Sequence, residues 1–253
     1  MPRTELTDAL VLRALDYGES DRIVTLLTER FGKVSVLARS ARKSRRRFGG
    51  VLEPYVVFGA RVSFGAGELG HLHEVELRRS FPRIVTSLDK IALGGSALSL
   101  VRAAVPVREP DARVFANVVE FFEALDGAEG PVDGLRLAFT VRVLSLVGFE
   151  PSFDMCARTG RRAPSSQAAY FDAELRSIVT AEAGGGPWLL SGAVREWLRV
   201  AVGAGWASAF EGDVPASELR AAEDAMRAFV ELRIGPKAIQ EDLVVRVREL
   251  GAR

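Results

Sequence analysis

Six cations stand within nine residues of this chain: Arg39, Arg42, Lys43, Arg45, Arg46 and Arg47, with no carboxylate after them until Glu53. Charges of one sign at that density repel one another unless something anionic is near, and nucleic acid is the first such partner to consider. The competing reading is a solvated, disordered turn. Arginine as such says little, because the chain uses thirty arginines against four lysines. The clustering is what counts, since the formal net charge of the 253 residues is only +1. That charge divides unevenly: residues 1–83 carry fifteen Lys/Arg against ten Asp/Glu, and residues 84–253 carry nineteen against twenty-three. The two parts should therefore face different partners.

Other candidate chemistry is weak. Gly65-Ala66-Gly67-Glu68-Leu69-Gly70 matches the dinucleotide fingerprint, but His71-Leu72-His73-Glu74-Val75-Glu76 follows it with strand alternation, so no helix start is available to hold a pyrophosphate. It reads as a hairpin turn. Gly32-Lys33 is followed by Val34 and lacks the upstream glycine of a phosphate-binding loop. His71 and His73 share one face of a strand as a metal pair would, but no third ligand is evident. No nucleophile elbow and no nucleophile signature around Cys156 is present. These absences predict a protein without catalytic activity, cofactor or bound metal.

The elements that must position the cations are legible in the patterning. Period-2 alternation broken by turn signals predicts five strands at 8–15, 22–28, 33–39, 55–64 and 69–77. Five short strands in about seventy residues predict an OB-type barrel, with the basic run as a long, flexible loop between strands three and four. Such barrels bind single strands by joining a positive groove to aromatic faces, and Tyr17, Phe31, Phe48, Tyr55 and Phe64 are the candidates. Phe64 shares its face with Val56, Phe58 and Val62, which argues for the core.

After Phe81-Pro82 the period becomes helical, with helices predicted near 87–102, after an Asp111 cap, and at 132–147, 191–202 and 217–234. Their apolar stripes read as the core of a helical bundle. A polar insert at 152–187 interrupts them, with strand-like pieces near 169–171 and 177–180. The fold class is thus α+β: a barrel domain at 1–81 and a helical domain at 82–253 interrupted by the insert. The apolar stretch 91–101 is too short to cross a bilayer and the N-terminus has no apolar signal region, so no membrane partner is expected and the cytoplasm is the expected location. A single cysteine, which allows no internal disulfide, agrees with that.

The order of features is more specific than any one of them. Tyr17-Gly18-Glu19-Ser20, Phe31-Gly32-Lys33, Ala38-Arg39-Ser40-Ala41-Arg42-Lys43, Leu52-Glu53-Pro54, Gly67-Glu68-Leu69, Gly148-Phe149, Tyr170-Phe171-Asp172 and Gly235-Pro236-Lys237 follow one another along nearly the whole chain. This series resembles the RecO family of recombination mediators. The resemblance implies an OB domain, a helical domain and a small zinc-finger-like insert, acting on nucleoid DNA without nucleotide hydrolysis. It implies binding of single- and double-stranded DNA, annealing of complementary strands, and recombinase loading together with RecR and single-stranded-DNA-binding protein. It also implies that the helical domain captures the acidic C-terminal tail of the latter protein; Arg136 and Arg142 are the candidate cations at the rim of such a pocket. Without the resemblance, an OB-fold RNA-binding adaptor would account equally well for a basic loop with aromatic platforms.

One departure from the family pattern matters. Many members carry two C-x-x-C pairs in the insert, whose four thiolates close a tetrahedral zinc shell. Here Cys156 stands alone, with Thr159 at the second position and the second pair falling near Thr180 and Ala183. Packing must then hold the insert, with Met155, Tyr170, Phe171 and Ile178 as the candidates. The protein is accordingly expected to purify without stoichiometric zinc, and a chelator should leave its melting temperature unchanged. One zinc per chain by elemental analysis would contradict this.

Overall fold

The computed structural model describes residues 3–130, 132–203, 206 and 214–238, without the side chains of Arg45, Arg46, Asp133, Ala216 and Lys237. These residues form two compact units: Met1–Gly94 with Val105–Asp126, and Gly95–Ala104 with Gly127–Arg253.

The first unit is built on five strands, β1 (Thr4–Tyr17), β2 (Asp21–Thr28), β3 (Gly32–Ala38), β4 (Val56–Ser63) and β5 (Leu69–Ser80). They close a barrel in the order β1-β2-β3-β5-β4, the OB arrangement, in which only β3 and β5 pair in parallel. The alternation read from the sequence is the pleat itself: along β3, Val34, Val36 and Ala38 point inward, to join Val24, Leu26, Phe58, Ala60 and Val62 in the core. β1 runs longer than the pattern predicts. Past an irregularity between Val11 and Arg13 it continues as an exposed hairpin arm in which Leu15, Asp16 and Tyr17 pair with Ile23, Arg22 and Asp21. An arm with neither face in the core leaves no alternation to detect.

The β3–β4 connection differs from the flexible loop that its composition suggests. It holds a one-turn helix, α1 (Arg45–Phe48), and Phe48 and Leu52, each 3% exposed, close the barrel core from that side. The connection ends at Tyr55 (φ 64°), whose ring packs edge-on against Phe122 at 5.4 Å and whose hydroxyl donates to the Ile91 carbonyl at 2.9 Å. Gly94 is required at this contact, because a Cβ there would lie 2.5 Å from the tyrosine ring.

Helix α2 (Leu88–Ala104) contains the unit boundary, and α3 (Ala112–Gly127) follows it. Asp111 caps α3 as its position predicts, accepting the Arg113 amide at 2.9 Å. The stripe of α3, which the sequence assigns to a helical bundle, instead belongs to the barrel's unit: Phe122 meets both Tyr55 and Phe81. The segment before α3 also returns to the barrel. Arg108 donates its amide to the Lys33 carbonyl at 2.9 Å and its guanidinium to the Gly67 and Glu68 carbonyls at 3.0 and 3.1 Å.

In the second unit α4 (Asp133–Leu146), α5 (Gly192–Gly203) and α6 (Ala216–Arg233) pack on one another. The insert is a four-stranded sheet, β6 (Ser152–Cys156), β7 (Ala169–Asp172), β8 (Ser177–Val179) and β9 (Trp188–Leu190), ordered β6-β8-β7-β9. Phe171 and Ile178 are fully buried as predicted, and Phe171 lies 5.7 Å from both Phe153 and Phe229; Met155 instead stands partly exposed. The main fastener was not foreseen. Arg195 of α5, 2% exposed, donates to the carbonyls of Phe153 (3.0 Å), Pro164 (3.1 Å), Ala163 (3.3 Å) and Gln167. Arg233 of α6 does the same for the β7–β8 turn, through the Ala173 and Glu174 carbonyls at 3.2 and 2.6 Å.

Burial pushes the Tyr55 hydroxyl up to about 12. A phenol that binds its proton more tightly folded than unfolded stabilises the fold fully below the unfolded value near 10, and that stabilisation is lost as pH rises through 12. The loss should be on the order of 2 kcal/mol. In an alkaline absorbance titration one tyrosine should ionise near pH 12, and Tyr55→Phe should remove that step and flatten the decline of stability between pH 10 and 12. An identical decline in the variant would contradict this.

Candidate nucleic-acid interface

The basic loop begins where β3 leaves the barrel, and the β1–β2 hairpin holds its start. Ser40 adopts φ 57°, and its amide donates to the Asp21 carboxylate at 2.7 Å. The Arg42 amide donates to the Ser20 carbonyl at 3.0 Å, and the Ser44 amide to that of Ser40 at 2.9 Å. Arg47 folds back over the loop, donating to the Arg39 carbonyl at 2.9 Å and to the Ser44 hydroxyl at 3.3 Å, with its guanidinium 5.2 Å from the Phe48 ring centre. A run read as flexible is thus a folded platform tied to the hairpin at one end and plugged into the barrel core at the other.

Of the predicted cations, Arg39, Arg42, Lys43 and Arg47 are exposed on this platform. The side chains of Arg45 and Arg46 lie outside the described part. Among the described residues neither Arg39 nor Lys43 makes a side-chain ion pair, so both point charge at solvent. Arg42 lies 3.5 Å from Asp16. Sequence reasoning missed the neighbour of this pair: Arg22 of β2 contacts Asp16 at 3.1 Å and Glu53 at 3.2 Å. Partial burial lowers the Arg22 value, but the hydrogen bonds it donates to Glu53 and Asp16 outweigh it and hold the guanidinium above its ordinary range. Such exposed pairs contribute at most about 1 kcal/mol each, so a phosphate can displace the carboxylates. Only the folded hairpin brings Arg22 to the loop, and nothing in the linear charge pattern signals it.

The five candidate stacking residues separate. Phe48 and Tyr55 are core, 3% and 8% exposed. Phe31 and Phe64 form an edge-on pair at 5.3 Å, roofed by Arg30 and Arg108 at 5.3 and 5.2 Å, beside the β2–β3 and β4–β5 turns rather than at the basic loop. Tyr17, at the end of β1 next to the loop, is 56% exposed.

The other residues singled out in the sequence are placed as follows. The glycine run 65–70 spans the turn between antiparallel β4 and β5, as its strand context predicts. His73 shares a 2.7 Å hydrogen bond with the Ser63 hydroxyl, and its ring centre lies 6.4 Å from that of His71. Among the described residues no three His, Cys, Asp or Glu side chains are grouped to hold a metal ion. Cys156 is buried, with the Thr180 hydroxyl 3.9 Å from its sulfur. Burial raises its thiol, but the Thr159 hydroxyl and the amides of Thr180, Thr159 and Arg158 outweigh that and bring it down to about 6. Thr159 and Thr180 therefore serve the Cys156 sulfur as hydrogen-bond partners. On α4, Arg136 is half-buried, whereas Arg142 is 7% exposed, donates to the Ala201 carbonyl at 2.6 Å and stacks 4.1 Å from Trp206. That is the setting of an internal strut. No helix among the described residues is long and apolar enough to cross a membrane.

Comparison with known families matches the model described as Recombination protein O N terminal to residues 1–81, and the one described as Recombination protein O C terminal to residues 85–240. The chain belongs to the RecO family. Individual relatives agree with it. This RecO-family chain is 41% identical over 241 residues to the DNA repair protein RecO of Anaeromyxobacter sp. strain Fw109-5, covering 92% of each chain. It is 39% identical over 239 residues to the protein of the same name in Anaeromyxobacter dehalogenans strain 2CP-C, covering 93% of each. The Geobacter sulfurreducens RecO is 41% identical over 162 residues, covering 64% of this chain and 65% of that one.

Proposed function

We propose that this protein is a non-catalytic DNA-binding mediator of recombinational repair that anneals complementary single strands. The observation that carries the reading is the platform of Arg39, Arg42, Lys43 and Arg47, exposed together on a loop fastened to an OB barrel. Phosphate contacts dominate, because cations on a surface turn meet the backbone of any sequence, and binding is strong but sequence-tolerant. Both single and double strands present such phosphates. Membership in the RecO family supports RecR and single-stranded-DNA-binding protein as the partners, and the second unit, in the acidic part of the chain, as the receiver of the latter's C-terminal tail. Arg136 is the candidate cation there; Arg142, packed on Trp206, serves the interior.

If about five cations neutralise phosphates, log affinity for single strands falls with log salt at a slope near −3.5, from roughly −0.7 per contact. Alanine at Arg39, Arg42, Lys43, Arg45, Arg46 and Arg47 together should flatten that slope and abolish annealing, while an unchanged slope would put the DNA site elsewhere. On strands coated with single-stranded-DNA-binding protein, the wild-type chain should anneal only when the coat keeps its C-terminal tail. Equal annealing with a tailless coat would remove that partner from the reading.

A further inference from the structure

Among the described Phe, Tyr and Trp residues Tyr17 is the one classed as exposed, and it has no ring or cation partner there. Its position is fixed. The antiparallel pair Tyr17–Asp21 closes the β1–β2 hairpin, and Gly18 with φ 58° turns the chain immediately after it. Asp21, its cross-strand partner, holds the Ser40 amide of the basic loop, and the Ser20 carbonyl holds that of Arg42. Asp16, one residue before it, contacts both Arg22 and Arg42. The ring therefore stands on the same fastened hairpin as the Arg22 guanidinium, beside the loop that carries the other cations. Packing does not account for an aromatic residue at a hairpin end that faces solvent, and water pays a cost to hydrate that apolar face.

We infer that Tyr17 is a base-stacking platform: an unpaired base of a single strand lies on the ring while the basic loop and Arg22 hold the flanking phosphates. This rests on the reading of the basic loop as the phosphate-binding surface. The occupant follows from the surroundings. An exposed π face beside a cationic loop fits a ligand that combines a flat apolar ring with anions at regular spacing, and a single nucleic-acid strand is that ligand. A duplex offers the same phosphates but keeps its base faces stacked inside the helix. The cations thus supply affinity for both forms, and the tyrosine supplies the preference for the single strand.

The test measures affinity of the full chain for three ligands of equal length: an oligo(dT) strand, an abasic strand with the same phosphates, and a duplex. The wild type should favour oligo(dT) over the abasic strand. Tyr17→Ala should weaken oligo(dT) binding roughly ten-fold, the scale of one base stacked on an aromatic ring, and leave the abasic strand and the duplex unchanged. Tyr17→Phe, which keeps the ring, should bind all three as the wild type does. Tyr17→Ala that binds oligo(dT) as tightly as the wild type, or that weakens all three ligands equally, overturns the stack. The six-alanine variant separates the two readings. If it loses all three ligands while Tyr17→Ala is silent, the basic loop stands and the stack falls. If it keeps them while Tyr17→Ala is selective for oligo(dT), the stack stands and the phosphate surface lies elsewhere.

Discussion

Phe48 and Leu52 seated in the barrel core fix the position of every cation that precedes them. Like charges in water repel by about 1 kcal/mol at 4 Å, less in salt, so six of them within nine residues would spread a free loop apart. Burying a large apolar side chain returns roughly 1.5–3 kcal/mol, and two such plugs at the loop's end outweigh repulsion among exposed cations several ångströms apart. The loop's start is held differently, by the Asp21 carboxylate on the Ser40 amide and by the Ser20 carbonyl on that of Arg42. The result is a dense positive surface that does not relax by unfolding. Its stored repulsion is relieved when anions arrive.

The second unit meets a different constraint, the fastening of a small sheet to the helices beside it. One buried guanidinium, that of Arg195, satisfies four carbonyls of the insert at once. Arginine suits the place because its fork of five donors addresses several acceptors at once and its charge persists under burial. Burial does lower the Arg195 value, and the fields of Asp154 and Glu196 oppose that. The carbonyls gathered around it would be left buried and unsatisfied in its absence, which is the costly half of any hydrogen-bond ledger. Arg233 repeats the device at the β7–β8 turn, so two helices staple a sheet too small to bury a core of its own.

Much of this was legible in the linear chain. The five strands and five long helices follow from alternation and apolar stripes, since period is set by backbone geometry whatever the tertiary context. The cation run was legible as charge. Its rigidity was not, because Phe48 and Leu52 look like loop residues until the barrel end that receives them is built. The stripe of α3 reads correctly as an apolar face, but a face does not name its partner, and Tyr55 and Phe81 supply one in the barrel's own unit. Arg22 and Asp16 are far from the loop in sequence and reach it only through hairpin pairing. Arg195 reads as an ordinary helix-surface charge, since burial of a cation among carbonyls leaves no local pattern.

Amide hydrogen exchange over residues 39–48 in the free protein, before any nucleic acid is added, tests most directly whether the cations stand on a folded frame. The amides of Arg42, Ser44 and Phe48, which donate to the Ser20, Ser40 and Ser44 carbonyls, should be protected well above the rate of an unstructured chain. Exchange of all three at the rate of an unstructured chain would show a free loop and remove the physical basis for a preformed phosphate-binding surface.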